Sequence, residues 1–127
     1  MERRTSDLKN IDLIVVDISG SMRHLLDNEN VLKVLRTIVD LFPLARLLAI
    51  DTLVRGEWKR AKDGLQELLK LSRTGETDLV SVLSRYNMKK TIVLTDQQGW
   101  EQISAMIVRP YLSIVVSDTQ ELSFRFG

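Results

Sequence analysis

The chain of 127 residues contains no cysteine and only one histidine, His24. Disulfide bonds and thiolate zinc sites are therefore excluded, and one imidazole cannot build a nitrogen-ligated metal site. The lack of cysteine is consistent with a reducing compartment. His24 is expected to be exposed rather than to bind a metal.

The chain also has no excess of one charge sign, because its 18 Lys and Arg residues nearly balance its 17 Asp and Glu residues and leave a net charge of +1. Such a balance gives no long-range attraction to nucleic acid or to anionic lipid. No apolar run approaches the ~18 residues that span a membrane. Residues 1–10 lack the apolar core of a signal peptide and are expected to form a flexible tail. We therefore expect a cytoplasmic protein that binds neither nucleic acid nor membrane.

The length suits one domain, which we predict over residues 1–127. Short apolar runs alternate with stripes of apolar residues at helical spacing. Strands are predicted over 11–16, 46–54, 91–95, 111–116 and, as an edge strand, 122–126, with a weak turn signal at Arg55-Gly56. Helices are predicted over 31–42, 63–72, 78–86 and 99–107. This alternation indicates an α/β fold with a mostly parallel, doubly wound sheet covered by helices on both faces, and a functional site beyond the carboxyl ends of the strands.

Two of the predicted buried strands end in an aspartate, Asp17 and Asp96. Two carboxylates brought together at a sheet edge repel each other, and the pKa of one rises unless a cation lies between them. Taken singly, each aspartate is better explained as a cap of the following loop or helix.

The residues after Asp17 favour a cation. Asp17, Ser19 and Ser21 alternate, so their side chains can point the same way, and Gly20 would allow a tight turn. One carboxylate and two hydroxyls are hard oxygen donors, which suit Mg²⁺, Mn²⁺ or Ca²⁺ rather than zinc.

This stretch (DISGSM) resembles the DxSxS signature of von Willebrand factor A-type domains, the first part of their metal-ion-dependent adhesion site. Residues 75–79 (GETDL) are similar to the family's threonine loop, and residues 95–97 (TDQ) to its final aspartate motif. The resemblance covers residues 11–116 and implies a compact Rossmann-like fold. It also implies metal binding by five residues: Asp17, Ser19, Ser21, Thr77 and Asp96.

The resemblance further implies a protein-interaction module without catalysis, in which a partner's Glu or Asp completes the shell of Mg²⁺ (or Mn²⁺ or Ca²⁺). Intracellular members of the family often serve multi-protein machines, including AAA+ ATPases of the MoxR type. Glu76 and Gln97 stand where the family usually has glycine, and neither change removes a ligand. The expected partner-binding rim consists of Met22, His24, Glu76, Gln97 and Trp100.

An alternative is a metal-dependent nuclease of the PIN type that uses Asp17, Asp51 and Asp96. Its weakness is that Ser19 and Ser21 are not acidic, and Asp51 is expected to have a structural hydrogen-bonding role. A phosphotransferase of the haloacid dehalogenase type is rejected, because Ser19 replaces the second aspartate that it needs. A structural domain with an empty site remains a further alternative.

Overall fold

A computed structural model describes residues 10–127 of the chain. Residues 1–9, which hold nearly all of the predicted tail, lie outside the described residues. The described strands are β1 Leu13–Asp17, β2 Arg46–Ile50, β3 Val54–Trp58, β4 Thr91–Asp96, β5 Leu112–Val116 and β6 Leu122–Phe126. The described α-helices are α1 Glu29–Leu41, α2 Ala61–Leu69, α3 Leu79–Leu83 and α4 Gln97–Ser104. Three short 3-10 turns lie at Gly20–Met22, Leu25–Asp27 and Met88–Lys90.

The strands form one mixed sheet in the order β3-β2-β1-β4-β5-β6. The four central strands are parallel, whereas β3 and β6 pair antiparallel at the two edges. β1 and β4 are neighbours, with Val16 opposite Leu94. Asp17 and Asp96 therefore end adjacent strands at the same edge of the sheet.

The central strands are buried on both sides, which explains their nearly unbroken apolar sequence. In β1, Ile14 and Val16 pack into a core with α1 and α2, whereas Leu13 and Val15 pack into a second core with α3 and α4. Helices therefore cover both faces of the sheet. The α/β class is confirmed.

Helix α1 matches its sequence signals closely. Asn28 caps its first turn by accepting hydrogen bonds from the N–H groups of Asn30 and Val31. The helix ends just before Phe42-Pro43, since the residue preceding a proline avoids the helical conformation.

Several predicted boundaries are wrong. Strand β2 stops at Ile50 rather than at residue 54, because the carboxylate of Asp51 accepts hydrogen bonds from the backbone of Thr52 and Leu53 and turns the chain there. The predicted turn residues Arg55-Gly56 lie inside β3. Helix α3 spans only Leu79–Leu83, and α4 ends at Ser104, before residue 107.

The start of α2 also differs, because its cap is Arg60 and no side chain caps it. Asp63 pairs with Arg60 at 2.6 Å instead of opening a capping box. The edge strand β6 is confirmed. Within residues 10–127, no helix has the length and apolarity needed to cross a membrane.

Candidate metal centre

Asp17 lies fully buried at the end of β1, with both carboxylate oxygens engaged. Oδ1 accepts a hydrogen bond from the Ser19 N–H at 2.9 Å, and Oδ2 accepts one from the Thr95 hydroxyl at 2.7 Å. Burial raises the pKa of Asp17, the hydrogen bonds from Thr95 and Ser19 lower it in part, and the charge of Asp96 raises it further. The carboxylate therefore sits where positive charge would be favoured.

The two serines follow in a tight turn. The hydroxyl oxygens of Ser19 and Ser21 lie 3.1 Å apart, with Ser19 buried and Ser21 exposed. Gly20 donates its N–H to the carbonyl of Gly75 at 2.8 Å, which joins this turn to the threonine loop. Gly20 does not have a positive φ, so the backbone conformation of this turn does not require a glycine, contrary to the expectation from the sequence.

An open cleft of about 450 Å³ lies between these two loops. Its walls bring together three of the five predicted ligands from distant parts of the sequence. The lining residues are Ser19, Ser21, Gly75, Glu76, Thr77 and Gln98. The lining is mainly polar, and the cleft opens to solvent. The other two predicted ligands, Asp17 and Asp96, are not among the lining residues.

Asp96 ends β4 and caps α4. Its Oδ1 accepts a hydrogen bond from the Gly99 N–H at 3.0 Å, and the residue is almost fully buried. Asp96 is close enough to Asp17 for its charge to raise the pKa of that residue. Asp96 therefore caps the following helix, as one interpretation of the sequence predicted, and it also lies close to the carboxylate of Asp17.

Gln102, on α4, holds the threonine loop, and the sequence reasoning missed it. Its Nε2 donates to the carbonyl of Thr77 at 2.8 Å, and its Oε1 accepts from the Leu79 N–H at 2.8 Å. One side chain on the helix that Asp96 caps therefore fixes the position of Thr77. A glutamine six residues past a strand end carries no signal in the sequence.

Asp51 has the structural hydrogen-bonding role that the sequence predicts, because its carboxylate accepts hydrogen bonds from the backbone. Its Oδ1 accepts from the N–H groups of Thr52 and Leu53 and from Nε of Arg55, at 2.5, 3.1 and 2.8 Å. Burial alone would raise the pKa of Asp51, but the hydrogen bonds from Leu53, Arg55 and Thr52 outweigh it and lower the pKa. The carboxylate also packs against Gly75, where an added Cβ would collide with Oδ2.

The predicted partner-binding rim is wrong at one residue, Met22. Met22 is fully buried in the core on the α1 side of the sheet, so its side chain offers no surface to a partner. His24, Glu76 and Gln97 are exposed. Trp100 is half-buried and packs against the second core, with the guanidinium of Arg125 4.7 Å from the centre of its ring.

Comparisons with protein-family models, with curated proteins and with solved structures found no match to this chain. Within residues 10–127, no three His, Cys, Asp or Glu side chains gather into a group that could hold a metal. Any cation here would depend on the pair Asp17 and Asp96 together with hydroxyl oxygens. That donor set fits a hard divalent ion, because two carboxylates balance its charge and hydroxyls complete its shell.

Proposed function

We propose that this chain is a von Willebrand factor A-type domain with a Rossmann-like, doubly wound fold, and that it binds Mg²⁺, Mn²⁺ or Ca²⁺ in order to hold an acidic residue of a partner protein. The observation that carries this proposal is the convergence of Ser19, Ser21 and Thr77 on one open cleft, with Asp17 bonded to Ser19. These residues come from two loops that are distant in the sequence, and they line the same cleft.

The electrostatics of the site also support a cation. The charges of Asp17 and Asp96 act on each other near the cleft, and burial of Asp17 makes this repulsion costly. A divalent ion would supply the balancing charge and, with one position left to water, would attract a partner's carboxylate. Ser19, Ser21 and Thr77 would orient the ion toward the open side of the cleft.

The role is that of an interaction module, and a AAA+ ATPase of the MoxR type is one candidate partner by analogy with the family. A cytoplasmic location is part of the same proposal. The exposed rim residues His24, Glu76 and Gln97 would lie beside the bound partner.

The nuclease alternative is weaker, because its third carboxylate is already engaged. Asp51 is paired with Arg55 and with two backbone N–H groups. Asp51 instead lines a separate cleft with Arg55, Leu71, Ser72, Thr74 and Gly75. Asp17, Asp51 and Asp96 thus do not form the three-carboxylate group that such a nuclease would use.

The test uses Mn²⁺ as the probe and follows the relaxation of water protons, which reports water bound to a slowly tumbling ion. We expect the wild-type chain to enhance relaxation and Asp17→Asn to abolish the enhancement, whereas Asp40→Asn, an exposed control on α1, keeps it. Adding N-acetylglutamate amide should lower the enhancement by displacing water, and the neutral glutamine analogue should not. Equal enhancement by wild type and Asp17→Asn would contradict the proposed site.

The nuclease alternative is tested in the same preparation. Labelled RNA incubated with the protein and Mn²⁺ is expected to stay intact. Cleavage that disappears in Asp96→Ala would replace the interaction role with catalysis.

A further inference from the structure

A second open surface lies at the opposite end of the sheet from the candidate metal centre. The 3-10 turn Met88–Lys90 leads into β4, and residues 105–111 lead into β5. The Tyr111 N–H donates to the carbonyl of Met88 at 2.8 Å and ties the two segments together. Because β4 and β5 are parallel, both segments lie at the amino-terminal edge of the sheet.

Two adjoining clefts open at this edge, with volumes of about 510 and 460 Å³. Both are lined by Lys89, Ile107 and Val108, so they adjoin, and we call the two clefts together the basal groove. Arg109 and Tyr111 line one half, and Val80, Tyr86 and Met106 are among the residues that line the other half.

The basal groove exposes apolar side chains that the core does not use. Ile103 is buried and Met106 packs against the core, but Ile107, one residue further on, is 102% exposed and Val108 is 50% exposed. Val80 contributes a third exposed apolar side chain from α3. Contiguous apolar surface of this kind, beside a concave site, marks interaction surfaces in monomeric proteins.

The charged side chains that line the basal groove are positive. Lys89 and Arg109 line it, and Arg85 lies between two lining residues in the sequence. No acidic side chain within residues 10–127 forms an ion pair with any of these three. Asp12 contacts the neighbouring Lys90 through its backbone N–H only. A ligand that brings its own carboxylates would therefore find cationic partners here.

We propose that the basal groove binds a protein segment in which Asp or Glu residues flank two or more apolar side chains. The apolar residues fill the two clefts on either side of Ile107, and the carboxylates meet Lys89 and Arg109. A flat bilayer could cover Ile107 but could not fill the clefts, which favours a peptide. The surface is distinct from the metal centre, so its binding does not require a metal ion.

The test selects ligands from a random peptide library displayed on phage, panned against the full chain in the presence of a chelator. Enriched peptides are expected to combine acidic and apolar residues. A synthetic copy of an enriched peptide should perturb the amide resonances of residues 88–90 and 106–109. No enrichment, or enrichment of peptides without acidic residues, would overturn the proposal.

Two matched pairs of exposed variants locate the binding. Ile107→Gln and Arg109→Glu should each weaken binding of the synthetic peptide about tenfold or more. The controls Leu53→Gln, at the other end of the sheet, and Arg36→Glu, on α1, should leave the dissociation constant unchanged. Equal losses in variants and controls would refute the location. Binding to phosphatidylserine vesicles that is lost in Ile107→Gln, with no peptide enriched, would instead make this a membrane surface.

Discussion

At the scale of single residues, Asp17 ends β1 and Asp51 directly follows the neighbouring strand β2, yet the two carboxyls have pKa values shifted in opposite directions. Burial and the charge of Asp96 raise the pKa of Asp17, whereas the hydrogen bonds from Leu53, Arg55 and Thr52 lower that of Asp51. Ionised Asp17 therefore destabilises the metal-free fold, and ionised Asp51 stabilises it. A buried charge that costs stability is typical of a site kept for binding.

Neutralising Asp17 should stabilise the metal-free protein. In chelator at neutral pH, Asp17→Asn is expected to raise the free energy of unfolding by about 0.5–2 kcal/mol. The gain should shrink as the pH falls through the raised pKa, because the wild-type carboxyl then becomes neutral in the folded state as well. Urea unfolding across a pH series measures this, with Asp40→Asn as control. Asparagine can accept only one of the two hydrogen bonds of Asp17, so the pH dependence is the deciding observation. A stability difference from wild type that stays constant across the pH series would contradict this assignment of the buried charge.

Asp51→Asn should show the reverse. It is expected to cost about 1–2 kcal/mol at neutral pH, since the three hydrogen bonds to Oδ1 then go to an uncharged acceptor and the ion pair with Arg55 is lost. The contribution of Asp51 is fully present above its unfolded pKa, near 3.8, and is lost as the pH falls through the lowered folded value. Urea unfolding across the same pH series measures this cost. A cost of Asp51→Asn that stays the same even at the lowest pH of the series would disprove the stabilising role of ionised Asp51.

Two glycines near the cleft should tolerate substitution very differently. An added Cβ at Gly75 would strike the carboxylate of Asp51, whereas at Gly20 it would meet only ordinary contacts at 3.6 Å and beyond. Gly75→Ala is expected to cost about 1–3 kcal/mol through this overpacking, and Gly20→Ala much less. Thermal unfolding of both variants decides it, and equal losses would show that the loop around Gly75 yields freely.

At the scale of elements, α4 links the two halves of the proposed site. Asp96 caps its first turn, and Gln102 on the same helix holds the backbone of Thr77 and Leu79. Since residues that orient metal ligands tune metal affinity, α4 should set how well Thr77 faces the ion.

Removing that link should weaken metal binding more than folding. Gln102→Leu is expected to lower Mn²⁺ affinity about tenfold or more, as outer-shell changes do. Glu101→Gln, an exposed change on the same helix, should have no effect. Calorimetric titration gives the affinity, and unfolding in chelator gives the stability. Unchanged Mn²⁺ affinity in Gln102→Leu would mean that the hydrogen bonds of Gln102 to Thr77 and Leu79 stabilise the fold without affecting metal binding.

The elements also show what the sequence could predict. The end of helix α1 follows from a local signal, Pro43, whereas its start at Glu29 lies two residues before the predicted one because the Asn28 cap was not recognised in the sequence. The end of β2 was misplaced because Asp51 turns the chain through its own side chain, which the apolar run that continues through Val54 conceals. Helix α3 was drawn too long because Tyr86 continues the helical spacing while packing from beyond the helix end.

At the scale of the whole molecule, strand order decides which residues meet. The sequence marked Asp17 and Asp96 as strand ends, but only the pairing of β1 with β4 brings them to one edge. Thr77 is held near Ser19 and Ser21 by the Gly20–Gly75 hydrogen bond and by the hydrogen bond from Gln102 to its carbonyl. Both bonds join residues that are far apart in the sequence, so no local sequence signal predicts them. Met22 was misassigned for the same reason, since its burial depends on packing against distant helices.

The proposed function requires that a hard divalent ion bind in the cleft lined by Ser19, Ser21 and Thr77. The most direct measurement is a crystal structure grown with Mn²⁺, with anomalous diffraction used to locate the metal. We expect a peak roughly 2.0–2.4 Å from the hydroxyl oxygens of Ser19 and Ser21, with Asp17 and Asp96 next to it. An anomalous map with no peak in this cleft, from crystals saturated with Mn²⁺, would contradict it.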